Sequence, residues 1–221
     1  MHGKLKGTQV RGDHVGIEER LLEWAKRLKA VSQTGLEYGN DHFDYERYKE
    51  MNDLSNEMIA YLSKEKIEEI ERLLPVEKGY ATPKMAVRAV VMAEGKLLMV
   101  KEAADGLWCL PGGWCDTGVT PGENIEKEVR EETGLNVQAT KLLAFFDQTK
   151  HRPSKTLQHI YTCYFKCEVT GGAIRGSEET TDVGFFSPDA LPPLSIERMT
   201  KQQLDVALKE MDAGSPSIYF D

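Results

Sequence analysis

Apolar residues recur along the first third of the chain at the three- and four-residue steps of an amphipathic helix, and after Pro83 they pass to runs and alternations suited to strands. From Ile17, the positions Leu21, Trp24, Ala25, Leu28 and Val31 keep helical spacing until Gly35 and Gly39 stop the run. A second helix is expected from about Asp44, with Tyr45, Tyr48, Met51, Leu54, Met58, Ile59 and Leu62 on one side. A third carries Ile67, Ile70, Leu73 and Leu74 before Pro75. Trp24, Tyr45 and Tyr48 are read as the core of this bundle. Fewer than roughly 80 residues rarely stabilise themselves on one apolar face each, so the bundle is expected to pack on the second domain or on another subunit.

Downstream, Met85 to Met92 is β-rich, a turn at Ala93-Glu94-Gly95-Lys96 follows, and Leu97 to Val100 returns as a hairpin. Val137 to Phe146 gives another strand, and Tyr161, Cys163, Phe165, Cys167 and Val169 alternate with more polar residues in a half-buried one. Thr200-x-x-Gln203 caps a last helix bearing Leu204, Ala207, Leu208 and Met211, which Gly214 ends. Strands interleaved with helices predict an α/β fold with a mixed sheet between helices. The expected division is a mobile tail over 1–16, a helical domain over 17–75, a connector over 76–83 and an α/β domain over 84–221.

Charge and cysteine content narrow the function classes. A net charge of -8 on 221 residues argues against general affinity for nucleic acid backbones or anionic membranes. No run approaches the roughly 18 apolar residues of a membrane span and the start lacks a signal-peptide core, so the chain reads as soluble and cytoplasmic. Cys163 and Cys167 lie four residues apart on one strand, about 13 Å, too far for one bridge or one zinc. With Cys109 and Cys115 they are read as packing thiols.

The chemistry concentrates between Leu110 and Leu135. Thr120-Pro121-Gly122-Glu123 supplies an N-cap hydroxyl, a proline at the first helical position and a carboxylate at the third, and Gly134 a C-terminal stop. The spacing predicts a helix over 121–133 on which Glu128, Glu131 and Glu132 share one face. Three like charges there repel unless a divalent cation neutralises them; the plain alternative is a solvated acidic face with Lys127 and Arg130 as partners. The preceding Leu110-Pro111-Gly112-Gly113 turn lets backbone carbonyls approach an ion held by those carboxylates.

This stretch resembles the Nudix box, written Gly-x5-Glu-x7-Arg-Glu-U-x-Glu-Glu-x-Gly-U with U a bulky aliphatic residue. Gly113, Glu128, Val129, Glu131, Glu132, Gly134 and Leu135 match it. Val119 stands where the first glutamate belongs and Lys127 where the arginine belongs. The helical segment ahead of such a domain is similar to the Nudix subgroup that hydrolyses nucleoside diphosphates linked to another moiety X, among them CDP-choline and ADP-ribose pyrophosphatases. The resemblance implies an α/β/α sandwich behind a small helical bundle. It also implies Mg²⁺ or Mn²⁺ held by Glu128, Glu131 and Glu132 with the Gly112 carbonyl, and a late-loop glutamate that activates the water or completes the metal site. Glu179 is the first choice for that glutamate, ahead of Glu178 and Asp182; Glu131 is the box alternative.

Lys127 is expected to pair with a box glutamate, first of all Glu131. Arg88, unusual inside a strand, either snorkels to the sheet edge or enters a cleft where its fork binds phosphate. Tyr80, Trp108, Trp114 and Phe146 are the aromatic candidates for stacking on a base. Lys150, His151, Arg152 and Lys155 either steer an anion or are simply solvated. The implied partners are a small nucleoside diphosphate derivative and a second copy of the chain through the helical domain. Two rivals stay open, a Nudix enzyme acting on RNA and a nucleotide-sensing protein without catalysis.

Overall fold

The protein is described by a computed structural model covering residues 16–151, 157–212 and 217–221. Most of the expected tail, Arg152 and Lys155 of the basic loop, and Gly214 lie outside the described residues. The chain divides into two units, 1–81 and 82–221. No described helix is long and apolar enough to cross a membrane.

The first unit contains α1 (Ile17–Tyr38), α2 (His42–Ser63) and α3 (Ile67–Leu73). Helix α2 begins just before the expected point because Asp41 caps it, accepting the Phe43 N–H at 2.7 Å. Helix α1 runs through Gly35 instead of stopping there. A Cβ at that position would lie 2.4 Å from the Tyr48 ring, so the glycine permits close approach of α2 rather than ending the helix.

The expected apolar face of α1 is corrected more deeply. Its buried residues are Leu22, Ala25, Lys29 and Ser32, whereas Trp24 and Leu28 are 49% and 40% exposed and Ile17, Val31 and Tyr38 are exposed with them. On α2, Tyr45 is exposed and Tyr48 half-buried. The buried positions of α2 are Asn52, Ser55, Asn56 and Ile59. Lys29 Nζ donates to Asn52 Oδ1 at 3.0 Å and to Asn56 Oδ1 at 2.7 Å. Burial lowers the Lys29 pKa, with Glu71 and Asp53 opposing the shift. The bundle thus has a partly polar interior and an apolar stripe outside.

The second unit is built on β1 (Lys84–Ala93), β2 (Lys96–Glu102), β3 (Trp108–Cys109), β4 (Leu135–Asp147), β5 (Ile160–Gly172), β6 (Thr180–Phe186) and β7 (Tyr219–Phe220), with α4 (Pro121–Thr133) and α5 (Lys201–Asp212). The strand order is β3-β2-β1-β5-β4-β7, with β6 paired to β2. The sheet is mixed: β1 is parallel to β5, β4 antiparallel to β5. Val87, Ala89, Val91, Cys163 and Cys167 pack with Ile125 and Val129 of α4 on one side. Val90, Leu143, Phe146 and Tyr164 pack with Leu204 and Ala207 of α5 on the other. This is the α/β/α sandwich. The four cysteines are all free, and burial pushes the thiols of Cys163 and Cys167 up to about 12.

Candidate active site

Helix α4 forms for the reasons written in its ends. Thr120 Oγ1 accepts the Glu123 N–H at 3.2 Å, Glu123 accepts the Thr120 N–H at 2.9 Å, and Gly134 closes the helix in the left-handed region at φ 76°. Ile125 and Val129 turn into the core, which obliges Glu128 and Glu132 to face the sheet edge beside them.

The segment 111–115 runs against the first half of β1, along the edge that β2 pairs only at Met92 and Ala93. Ala89 N–H donates to Pro111 O at 2.8 Å, Val87 N–H to Gly113 O at 2.9 Å, and Cys115 N–H to Met85 O at 2.9 Å. This close packing makes Gly112 obligatory, and a side chain at Gly113 would displace the Glu128 carboxylate. At Gly112, with φ 140°, a Cβ would lie 2.1 Å from Val87 O; at Gly113 it would lie 2.7 Å from Glu128 Oε2. Farther on, buried Asn124 fastens the loop, accepting the Asp116 N–H and donating to Trp114 O, each at 2.9 Å.

Between this turn and α4 lies a cleft of about 370 Å³. It is lined by Gly112, Gly113, Trp114, Glu128, Glu131, Glu132, Arg88 and Glu179, so most of the sequence candidates meet there, and also by Glu102, Asp116, Lys127, Thr162 and Arg198. Glu178 and Asp182 are not among its lining residues.

Glu132 is 6% exposed, and its Oε2 accepts the Gly112 N–H at 2.8 Å. Burial pushes its carboxyl up to about 8 against the opposing pull of Arg88 and the Gly112 N–H; Glu128 and Glu102 add to the rise. The Glu128 carboxyl is also raised, first by burial, with Lys127 opposing and Glu131, Asp116 and Glu179 adding. Among the described residues no three His, Cys, Asp or Glu side chains stand converged as a finished coordination sphere. The donors nevertheless suit a divalent cation: they are hard carboxylate oxygens whose mutual repulsion it would relieve.

Arg88 neither snorkels nor lies free. It is 5% exposed, and its Nη1 donates to Gly112 O at 2.6 Å and Leu110 O at 3.0 Å, clamping the turn from beneath. The Gly112 carbonyl proposed for the ion therefore already accepts one bond and has one lone pair left. Lys127 meets Glu131 at 3.5 Å, but its nearer partner is Asp116 Oδ2 at 2.6 Å. Sequence spacing could not select Asp116, because the contact depends on how the loop folds back.

Two aromatic candidates are corrected. Phe146 is fully buried, edge-on to Tyr164 at 5.0 Å and to His151 at 4.9 Å, so no face is open to a ligand. Trp108 packs edge-on against Phe186 at 4.6 Å and against the α5-side core, outside the cleft lining. Trp114 is 47% exposed at the cleft, and Tyr80 is exposed in the first unit. Glu102 and Arg198, missed in the sequence, come from the end of β2 and the turn before α5, far apart in the chain and in no motif.

Comparison with known proteins matches residues 82–206 to the NUDIX domain model and residues 19–74 to a model described as UDP-X-like, N-terminal oligomerisation domain. YjhB of Bacillus subtilis (strain 168), provisionally named an ADP-ribose pyrophosphatase, is 42% identical over 94% of this chain and 100% of its own. The crystal structure of a UDP-X diphosphatase is 33% identical, covering 92% of this chain and 99% of its own, with a TM-score of 0.61. The crystal structure of an ADP-ribose pyrophosphatase from Streptococcus suis 89-1591 is 39% identical over 63% of this chain and 100% of its own, with a TM-score of 0.58.

Proposed function

Given that the chain belongs to the Nudix hydrolase family and carries a UDP-X-like N-terminal oligomerisation domain ahead of the hydrolase domain, we propose that it is a metal-dependent pyrophosphohydrolase. It cleaves a nucleoside diphosphate linked to X, of the ADP-ribose or CDP-choline type, into a nucleoside monophosphate and phospho-X. The observation that carries this reading is the cleft in which Glu128, Glu131 and Glu132 of α4 face the Pro-Gly-Gly turn with Glu179 across from them. The relatives named above as ADP-ribose pyrophosphatases and a UDP-X diphosphatase support the X-linked nucleoside diphosphate class.

Glu128, Glu131 and Glu132, with the remaining lone pair of the Gly112 carbonyl, would hold Mg²⁺ or Mn²⁺, which when bound neutralises phosphoryl oxygens and acidifies water. The chain's own part is placement and proton transfer. Gly112 and Gly113 let the turn come within reach of the Glu128 and Glu132 carboxylates, and Arg88 keeps the turn in place. Glu179, exposed at the cleft, takes the proton of the attacking water; Glu131 is the alternative base. Trp114 offers the ring for base stacking. Water attacks one phosphorus, the bridging P–O bond breaks, and the bridging oxygen leaves with the other phosphate.

The test is hydrolysis of ADP-ribose, CDP-choline and UDP-sugars by the full chain with Mg²⁺ and with Mn²⁺. Metal-dependent release of a nucleoside monophosphate is expected. Binding without turnover across the whole series would instead favour a nucleotide sensor, the reading motivated by Val119 and Lys127.

The exposed stripe of Ile17, Trp24, Leu28, Val31 and Tyr38 on α1 is proposed as the surface that a second copy covers in a homodimer. Light scattering on the full chain tests this; a monomer at micromolar concentration would overturn it.

A further inference from the structure

The cleft is a poor electrostatic host for a diphosphate as its side chains stand. Six carboxylates line it against three cations, Arg88, Lys127 and Arg198. A divalent ion offsets part of that excess, yet a diphosphate still needs a donor on the phosphate turned away from α4. Two of the three cations are committed. Arg88 is buried beneath the turn and bonded to its carbonyls, and Lys127 is held by Asp116 at 2.6 Å with Glu131 beside it.

Arg198 is differently placed. Its side chain is 41% exposed, and its ion pair with Glu102 is a single long contact, Nη2 to Oε2 at 3.4 Å. A guanidinium carries five N–H donors in a planar fork, so most of its donor capacity is left for the cleft. Its backbone, by contrast, is firmly set. Ser195 and Met199 are fully buried on either side, Ser195 Oγ donates to Asp105 Oδ2 at 2.6 Å, and the Ser195 N–H donates to Trp108 O at 2.8 Å. The Arg198 N–H then closes on Ser195 O at 2.9 Å.

Glu102 is set in turn from the dry side. It is 12% exposed, and its Oε1 accepts the Cys109 thiol at 3.0 Å. Burial raises the Cys109 pKa, with Arg88 opposing, so the thiol stays protonated and able to donate. The result is a fixed carboxylate holding a loosely tied guanidinium at the cleft.

We infer that Arg198 is a substrate-binding residue that donates its fork to a phosphate of the diphosphate, and that Glu102 is the positioning residue that aims it. The inference rests on reading the cleft as a pyrophosphate site. It adds the cation that accepts the phosphate from the side of α5, and it makes affinity for the diphosphate depend on a residue outside the box. Glu102 keeps its contact with Nη2 while the remaining N–H donors of the Arg198 fork meet the anion.

The test uses the full chain and methylenediphosphonate, a diphosphate analogue that cannot be hydrolysed, titrated by calorimetry in the presence of Mg²⁺. Arg198→Ala should weaken binding about 10- to 100-fold, the range for a lost charge-assisted bidentate contact, and Arg198→Lys should recover part of it. Mn²⁺ affinity without the analogue should stay within about twofold of wild type, which separates the residue from metal binding. Glu102→Gln should raise KM several-fold with kcat kept, a split that general loss of structure would not give. Unchanged analogue affinity in Arg198→Ala overturns the inference, as does failure of the wild type to bind the analogue. A drop in Mn²⁺ affinity in Glu102→Gln overturns the positioning role by making Glu102 a ligand. If the wild type binds the analogue through Arg198 but hydrolyses no nucleoside diphosphate derivative, the proposed function fails and the binding role stands.

Discussion

The two units of this chain use the same signal, periodic apolar residues, to opposite ends. In the second unit the periodic positions of α4, Ile125 and Val129, are fully buried against the sheet, and the polar side of the helix forms the cleft. In the first, the periodic positions Trp24, Leu28 and Val31 face solvent while Lys29, Ser32, Asn52 and Asn56 are buried between helices. Periodicity fixes that a helix forms and which residues share a face. It does not fix what covers that face, because a second copy removes apolar area from water as effectively as a sheet does.

The largest expected effect falls on the cleft. Glu132→Gln keeps shape and removes charge, and is expected to lower kcat at least about 100-fold with far-ultraviolet circular dichroism unchanged. Near-normal turnover with unaltered Mn²⁺ affinity would remove Glu132 from the metal site. Gly112→Ala should act on stability instead, because its Cβ would meet Val87 O at a backbone conformation that disfavours any side chain. A loss of about 3 kcal/mol is expected from strain and overpacking together, read by urea unfolding.

On the first unit, Trp24→Glu together with Leu28→Glu should convert the proposed homodimer to a monomer without lowering its helical content, since neither residue is part of the buried face. Retained dimerisation would place the interface elsewhere and leave the stripe unexplained. A smaller effect is expected at the loop. Lys127→Met should weaken Mn²⁺ binding several-fold by freeing the Asp116 end of the loop, and Lys127→Arg should be tolerated. Equal affinity in all three proteins would make the position a solvated surface.

The smallest effect separates the interiors. Burial lowers the Lys29 pKa below 10.5 against the pull of Glu71 and Asp53, so above the folded pKa the unfolded chain binds more protons. Stability of the first unit should therefore rise as pH increases toward 10.5, followed by Trp24 fluorescence during unfolding. Lys29→Met should abolish that slope.

Sequence alone determined the elements whose causes are local. The start and stop of α4 followed from Thr120, Pro121, Glu123 and Gly134, because caps act over one turn. The shared face of Glu128, Glu131 and Glu132 followed from helical geometry, whereas β5, expected to be half-buried with Val169 on its buried face, buries Thr162 and Tyr164 on its other face as well and leaves Val169 exposed, because helices cover both sides of the sheet. The box residues pointed to the family for the same reason: they lie on one continuous segment.

Tertiary structure decided what depends on contacts between distant segments. It turned Gly35 from a helix stop into a point of close packing, because Tyr48 of α2 lies against it. It set Arg88 against the carbonyls of Leu110 and Gly112, and it brought Asp116 to Lys127, closer than Glu131. It removed Phe146 into the core, since a strand residue cannot reveal from its own spacing which face α5 will cover. Glu102 and Arg198, 96 residues apart by their numbers, meet only because the end of β2 and the turn before α5 reach the same cleft. Local sequence carries capping and periodicity; the pairing of distant charges requires the fold that brings them together.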